Sequence, residues 1–498
     1  MRAVYSPDQV REAERPLIAR DGDEVVMRRA ARGLEIACAT MIAGDIGIVT
    51  GAQVLLLVGT GNNGGDALWA GVGLLSRGAA VHAITVGDAV HPVARAAFER
   101  HGGRCATQAE WPDLVANADL VIDGLVGIGG RGALRSAAAE CANLVNLAGV
   151  RVVACDIPSG VDATSGAVEG VAVRADLTVT FGALKPGLLL MPGAEFVGVL
   201  HLVDIGLDPF FEGDPVAHML LADDVADSLP VPTSHDHKYS RGVVAIDAGS
   251  PQYPGAALLS VGAARRGGAG LVSYVGAVPD LVVSHFPDVV VSAFSADRVS
   301  ASLIGPGLAP GGEPPSLIHA EAPLVLDATA LREVGGGGEW ANAVRRRAAR
   351  GLVTAMTPHD GELVALGSSP ELLSVNRIDA ARSVAEQWGA VVLLKGATTV
   401  VVAPSGDVFI TPIAPAQLAT AGSGDVLAGL AASWLASAEA QARANDQSID
   451  VGGAARVLAC AAWLHALAGR VAGAGAVVAT DLIHALPVAI NIVRGDSP

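Results

Sequence analysis

Aromatic side chains are scarce in this chain, 4% of 498 residues, and so are cysteines. The five cysteines (Cys38, Cys105, Cys141, Cys155 and Cys460) are scattered with no C-x-x-C pair, which sets aside a paired-cysteine metal or redox motif. They read as buried small hydrophobes of a reducing cytoplasm. Long apolar runs are missing too, none approaching the ~20 residues that span a bilayer. The opening Met1-Arg2-Ala3-Val4-Tyr5-Ser6-Pro7-Asp8 lacks the apolar core of a signal peptide. A cytoplasmic protein with no membrane partner is expected. Basic charge is also short: 33 Lys and Arg against 50 Asp and Glu leave a formal charge of −17. That excludes general nucleic-acid binding, which needs a basic face for phosphates. No G-x-x-x-x-G-K-[ST] occurs, so a P-loop is excluded as well. Phosphate can still be held by backbone N–H cradles and single lysines.

What remains is rich in Ala, Val and Gly, with 51% hydrophobic residues and 61 glycines. Such a composition suits an α/β protein built on buried parallel strands. The chain is too long for one ordinary core, so two domains are expected. A stretch rich in Pro, Gly and Asp, 206–236, separates two sequences of different character. It divides the chain into domains 1–216 and 225–498. Within this joint, His235-Asp236-His237 lacks further His or Cys at ligand spacing and reads as a solvated loop.

After a helical opening over residues 1–50, the first half alternates short apolar runs (53–59, 81–86, 120–123, 151–156, 177–181) with helical stretches (67–77, 94–100, 136–147). Alternation of this kind predicts a doubly wound parallel sheet with ligands at the carboxyl ends of its strands. Three strand ends carry polar residues. Gly59-Thr60-Gly61-Asn62-Asn63-Gly64-Gly65-Asp66 contains G-x-G-x-x-G, a weak fingerprint alone, but adds two amides and a carboxylate to the turn. Val121-Ile122-Asp123-Gly124 leads into a glycine-rich loop, and Asp156-Ile157-Pro158-Ser159-Gly160-Val161-Asp162 follows a third strand. By itself the last is equally well a Pro-Ser-Gly turn. Together the three form one crevice. Asn63, Asp123 and Ser159 offer hard oxygen ligands for a monovalent cation, and either Asp123 or Asp156 could transfer protons.

These three motifs, in this order, resemble the NAD(P)H-hydrate epimerase family, the YjeF N-terminal domain, over about residues 1–215. The resemblance implies a Rossmann-like fold that binds the hydrated nicotinamide dinucleotides NADHX and NADPHX. The contacts implied are Asn62, Asn63, Gly64, Gly65 and Asp66, the loop Gly127, Ile128, Gly129, Gly130, Arg131, Gly132 and Ala133, and Asp156. It further implies K+ at Asn63, Asp123 and Ser159, with Asp123 catalytic. The family usually has Gly where Ala67 stands here.

The second half again sets each distinctive motif at the end of a strand-like run. Gly305-Pro306-Gly307 permits either a plain turn or close backbone approach to a flat ligand. His359, in Thr357-Pro358-His359-Asp360-Gly361-Glu362, is either a satisfied loop histidine or a substrate contact. Lys395-Gly396 after the run 391–394 is either a plain strand end or the phosphate-contact device that a lysine beside a glycine commonly forms, the second being favoured. The stretch from Thr420 to Gly429 reads as a glycine-rich turn, one Asp and an apolar helix. Gly422 and Gly424 let backbone N–H groups converge on an anion at a helix N-terminus. Asp425, beside that anion hole, suits a general base acting on a hydroxyl; the plainer alternative is an N-capping Asp. The last 70 residues are Ala-rich and helical.

T-P-H-x-G-E, L-K-G-x-x-T and A-G-S-G-D-V-L-A-G, with G-P-G-L upstream, look like the ADP- or ATP-dependent NAD(P)H-hydrate dehydratase domain of the ribokinase-like superfamily. The match spans about 225–490. It implies ADP contacts at Lys395, Gly396, Ala397, Thr398 and Thr399 and at Thr420, Ala421, Gly422, Ser423 and Gly424. Ala256, Gly307, His359 and Asp425 would lie on the hydrated nucleotide, with Asp425 the base and Mg2+ balancing phosphate charge. Two departures stand out: Thr329 replaces the second Asp of a frequent D-A-D, and K-Y-S-R-G replaces K-G-x-x-G.

The two resemblances together imply a bifunctional α/β repair enzyme with an N-terminal Rossmann-like and a C-terminal ribokinase-like domain. It would interconvert R and S NAD(P)HX and dehydrate the S form, converting ADP (alternatively ATP) to AMP and phosphate. Its Ala-rich terminal helices point to a homo-oligomer. A ribokinase-type small-molecule kinase with a non-catalytic N-terminal domain shares G-x-G-D but leaves N-N-G-G-D and D-I-P-S-G unexplained. A purely binding protein is the remaining alternative.

Overall fold

The structure, a computed structural model, describes residues 1–87, 89–291 and 298–495. Two compact units divide it: Ala3–Val216, and Ala217–Pro498 joined by Met1 and Arg2. Both are α/β.

The first unit is a seven-stranded parallel sheet. Its strands run in the order Arg104–Ala106, Ala80–Thr85, Gln53–Val58, Leu120–Gly124, Val152–Cys155, Leu177–Phe181, Val199–Val203. The order reverses between Gln53–Val58 and Leu120–Gly124, so the crevice for ligands opens where these two strands end. Their register sets Leu57 beside Asp123 and Val58 beside Gly124. Alternate residues bury on opposite faces. Val54, Leu56 and Val58 pack with Leu34, Leu68 and Phe98, while Leu55 and Leu57 pack with Trp111, Val121 and Val145. Burial on both faces is why these strands read as continuous apolar runs. The opening is two helices, Pro7–Asp21 and Asp23–Ile46, the first held by a Ser6/Gln9 capping box.

The second unit has strands Ala217–Met219, Val408–Ile410, Val400–Val402, Val391–Leu394, Thr354–Met356, Leu324–Leu326, Ala301–Ile304, Val243–Asp247 and Leu271–Tyr274 side by side. From Leu271–Tyr274 to Val391–Leu394 neighbouring strands are parallel; Val400–Val402 and Val408–Ile410 form an antiparallel hairpin on that edge. Helices Pro254–Arg266, Ser423–Arg443, Val451–Ala472 and Ala479–Arg494 pack into its largest core.

Two sequence expectations change. Val451–Ala472 is one helix long and apolar enough, by length and composition, to cross a membrane, yet most of it is buried. It is a core helix whose Ala454, Leu458, Ala461 and Leu464 carry the packing. And Cys105 is half exposed, unlike the other four free cysteines, which are buried.

Candidate active sites

At the switch point of the first unit, N-N-G-G-D is not a loop. The helix begins at Asn62 and runs to Ser76, so the motif forms its first turn. The glycines are there for backbone approach. A Cβ on Gly59 would stand 1.8 Å from the Leu125 carbonyl oxygen, and one on Gly64 2.3 Å from that of Gly59. Ala67, in place of the usual glycine, fits because Gly124 faces it: a Cβ there would be 2.7 Å from the Ala67 Cβ.

Asp123 and Ser159 are hydrogen-bonded to each other, and Asn63 lies against the backbone of Gly124 and Gly127 that follows Asp123. The Asn63 Nδ2 donates to the Cys155 carbonyl at 2.7 Å, and its Oδ1 lies against Gly127, where a Cβ would be only 2.4 Å away. Asp123 accepts from the Ser159 Oγ (2.7 Å), the Ser159 N–H (2.8 Å) and the Leu125 N–H (3.2 Å). Its carboxylate is fully buried, and burial pushes it up to about 6 although those three donors pull it down. Among the described residues no basic side chain forms an ion pair with it. A buried carboxylate that lacks a counter-charge and is joined to a serine hydroxyl is a donor set that fits a monovalent cation. The 127–133 loop is tied at Ile128, whose carbonyl accepts from the Arg11 Nη2 at 2.9 Å; Gly129, Arg131, Gly132 and Ala133 are exposed.

Asp156 adopts φ 64°, left-handed for a residue with a Cβ. Its Oδ1 accepts from the Thr180 Oγ1 (2.9 Å), the Phe181 N–H (3.2 Å) and the ammonium of buried Lys185 (2.6 Å). Asp66 is buried, and burial, then the charges of Asp156, Glu14 and Asp23, hold its carboxyl well above the usual range. Glu14 is raised by burial and Asp156, against Lys185 and Arg11. Sequence reasoning missed Lys185, Thr180 and Glu14. The signal for Lys185 was present: a lysine just past a buried strand end, the device recognised at Lys395.

In the second unit, Gly422 is the N-cap at φ 85°, and the helix Ser423–Arg443 starts after it. Asp425 is therefore the third helical residue, with no cap hydrogen bond, which removes the N-capping alternative. Burial above all, with the charges of Asp327 and Glu362, pushes its carboxyl up to about 7, while Lys395 opposes. The Lys395 Nζ lies 2.7 Å from the Asp327 Oδ1 and 3.7 Å from the Glu362 Oε2. The Gly424 backbone stands next to it: a Cβ there would be in ordinary contact, 3.4 Å from the Nζ. The Thr357 Oγ1 donates to Asp327 at 2.7 Å. One ammonium thus faces three carboxyl groups, of which only Asp425 was singled out in the sequence.

His359 has a structural role, and its side chain is also half exposed. It N-caps Asp360–Ala365, its Nδ1 accepting from the Glu362 N–H at 3.3 Å, while its Nε2 lies 3.4 Å from the Glu362 Oε1. Gly307 at φ 65° lies against Ala256, whose Cβ would be 2.5 Å from a Cβ at 307. In the 395–399 loop, the Lys395 N–H donates to Pro358, Ala397 accepts from the Ala414 N–H, and the Thr399 N–H donates to the Thr411 Oγ1. Thr398 is buried, and its hydroxyl has no hydrogen-bond partner among the described residues. Ser423 lies 3.4 Å from the Nε2 of buried His465, an imidazole that burial pushes down to about 4 and so keeps neutral. Asp247, at a strand end, is pushed up to about 6 by burial. Thr329, at the D-A-D position, donates to the Leu308 carbonyl at 3.1 Å. Among the described residues no group of three or more His, Cys, Asp or Glu is arranged to hold a metal. His237 instead accepts from the Tyr239 and Ser240 N–H groups in an exposed turn.

Residues 23–187 match the family described as YjeF-related protein N-terminus, and 244–489 that described as NAD(P)H-hydrate dehydratase. The chain is 42% identical over 448 residues to the bifunctional NAD(P)H-hydrate repair enzyme of Mycobacterium tuberculosis, covering 88% of this chain and 90% of that protein. It is 33% identical over 520 residues to the Corynebacterium glutamicum enzyme of the same name, covering 89% and 88%. Among solved structures, it is similar to an ADP/ATP-dependent NAD(P)H-hydrate dehydratase from Bacillus subtilis co-crystallized with ATP/Mg2+. That similarity has 26% identity and a TM-score of 0.45, over 56% of this chain and 99% of that one. On its near full-length identity to such relatives, the chain belongs to the family of bifunctional NAD(P)H-hydrate repair enzymes.

Proposed function

We propose that residues 1–216 equilibrate the R and S forms of NADHX and NADPHX, and that 225–498 dehydrate the S form to NADH or NADPH. ADP is the donor and leaves as AMP. The observation that carries the second step is Asp425: a carboxyl poised near neutrality at a helix N-terminus, beside one lysine. Hydroxide is a poor leaving group. Asp425 takes the proton of the ring hydroxyl as its oxygen attacks the terminal phosphorus of ADP and the bond to AMP breaks. The ring nitrogen's lone pair then expels phosphate, and the neighbouring ring carbon gives up a proton to solvent as the C=C bond re-forms. Lys395 and the N–H groups of Gly422, Ser423 and Gly424 hold the charge that develops on phosphate oxygens. Mg2+, when bound, balances that charge further. The 395–399 loop holds the nucleotide, giving the Thr398 hydroxyl a partner; Ala256, Gly307 and His359 border the hydrated ring.

In the first unit Asn63, Asp123 and Ser159 would hold K+, which supplies a fixed positive charge beside the dinucleotide. Asn62, Gly64, Gly65, Asp66, the 127–133 loop and Asp156 contact the substrate. Asp123, fully buried with both oxygens engaged, anchors the cation, and the proton work falls to Asp66 and Asp156. We place the enzyme in the cytoplasm and as a homo-oligomer, the latter checked by light scattering. The deciding experiment follows recovery of reduced-nicotinamide absorbance from mixed R/S NADHX with Mg2+, K+ and ADP or ATP. Complete recovery by wild type, none by Asp425→Ala and a stall after the S form by Asp123→Ala are expected. No recovery with either donor sinks the dehydratase assignment in favour of a small-molecule kinase.

A further inference from the structure

Lys185 is 1% exposed, and its Nζ spends all three protons inside the protein: on the Asp156 Oδ1 (2.6 Å), the Thr180 Oγ1 (2.9 Å) and the Phe181 carbonyl (2.9 Å). Such a pair is an expensive way to stabilise a fold, because desolvating two charges offsets most of their attraction. Its carboxylate partner also sits at a positive φ, a strained backbone for Asp. Burial, full satisfaction and strain coincide at one strand end, next to the polar first turn of Asn62–Ser76. Two further carboxyl groups act on this pair: Asp66 from that turn and Glu14 from the helix Pro7–Asp21. The charged groups around Glu14 are Asp156, Lys185, Arg11 and Asp23; those around Asp66 are Asp156, Glu14 and Asp23. One site therefore holds two carboxyl groups pushed toward their protonated forms and one carboxylate tied to an ammonium. That is the division of labour that acid–base chemistry needs.

We propose that Lys185 is a positioning residue of the epimerisation, aiming Asp156 and deciding, through its charge, which of Glu14, Asp66 and Asp156 give up and which accept a proton. The inference rests on the epimerase reading of this unit. Water added across an enamine double bond leaves its hydroxyl on the carbon beside the ring nitrogen. For inversion the nitrogen lone pair expels that hydroxyl as the acid's proton joins it, so the C–O bond breaks and water forms. Water then adds to the opposite face, the C–O bond re-forms, and a proton passes back to a carboxylate. Nothing is oxidised or reduced.

The test uses the full-length chain with K+ and (R)-NADHX, following appearance of the S form without nucleotide. Dehydration of (S)-NADHX with ADP serves as the internal control. Lys185→Met should lower kcat for epimerisation ~100-fold with KM changed less than ~3-fold, and leave dehydration unchanged. The basic limb of its pH profile should move up, because Lys185 opposes the rise at Glu14, and a carboxyl that acts in its protonated form then keeps its proton to higher pH. Lys185→Arg should recover ~10-fold of the loss. Thr180→Val, which removes one partner from both Lys185 and Asp156, should lose ~10-fold in kcat and decides the matter if Lys185→Met fails to fold. Unchanged kcat and pH profile in the folded Lys185→Met protein, or in Thr180→Val where that protein does not fold, overturn the role. Failure of wild type to exceed the uncatalysed rate instead overturns the epimerase reading beneath it.

Discussion

The ammonium of Lys395 stands 2.7 Å from the Asp327 carboxylate, and the group governed by that pair is the neighbouring Asp425. Asp327 raises Asp425 and Lys395 lowers it, with burial the largest influence of all. The carboxyl reaches about 7, where a base is both available and strong enough to take a hydroxyl proton. Below that pH it carries its own proton and cannot act. Dehydratase kcat/KM should therefore fall about tenfold per pH unit on the acid side of neutrality. Asp327→Asn removes the largest charged contribution to the rise and should move that limb to lower pH. A limb that stays in place in Asp327→Asn would separate the pair from the base.

The same carboxyl makes the fold less stable. Its folded value lies above that of an exposed Asp, so the native state resists its ionisation. Below the ordinary carboxylate range both folded and unfolded forms are protonated and nothing is lost. As pH rises through the interval up to about 7 the unfolded form ionises first, and the full loss is present above it. Asp425→Asn should raise the stability of the second unit at pH 8 by a few kcal/mol, order of magnitude, while abolishing dehydration. Urea melts at pH 8 and pH 4 check this: the gain should be present at the first and vanish at the second.

Gly127 makes room for the Asn63 amide, since a Cβ there would meet the Oδ1 at 2.4 Å. Gly127→Ala must push that oxygen aside, and with it one of the three proposed cation ligands. Epimerisation by this variant should need ~10-fold or more K+ for half-maximal rate, with dehydration unaffected. Titrating KCl against a background of a large organic cation measures it. A K+ requirement equal to wild type would remove Asn63 from the cation site.

Much of this was legible because α/β chemistry gathers at strand ends, and strand ends are marked by Gly, Asp and Lys in the sequence. Asp123 and Ser159 pair across two separate motifs, and Asn63 of a third lies against the backbone after Asp123, because the strand order places their strands at and beside the switch point. Lys185 and Glu14 escaped for a physical reason: their partners lie 29 and 142 residues away along the chain, at Asp156, and no local pattern encodes that meeting. Asp327 and Glu362 were inside recognised motifs, but their role depends on Lys395 reaching back between them. His359 shows the converse. Its motif was recognised, but its first duty is to cap a helix, and cap geometry is set by backbone angles that the letters do not carry.

Gly307 is the position where added bulk should separate binding from chemistry. Its φ of 65° disfavours any side chain, and a Cβ would come within 2.5 Å of the Ala256 Cβ and 3.0 Å of the Tyr253 carbonyl oxygen. Relief requires the start of Pro254–Arg266 to move away from the loop, taking Ala256 with it. If that gap holds the hydrated nicotinamide, Gly307→Ala should raise the dehydratase KM for (S)-NADHX ~10-fold or more. The KM for ADP should stay near wild type, because the 395–399 loop lies elsewhere along the sheet. Epimerisation in the other unit should be unchanged. Steady-state kinetics with each substrate varied in turn distinguish the outcomes: a rise in both KM values would mean general loosening of the second unit, and a rise for ADP alone would put the nucleotide, not the hydrated ring, against Gly307.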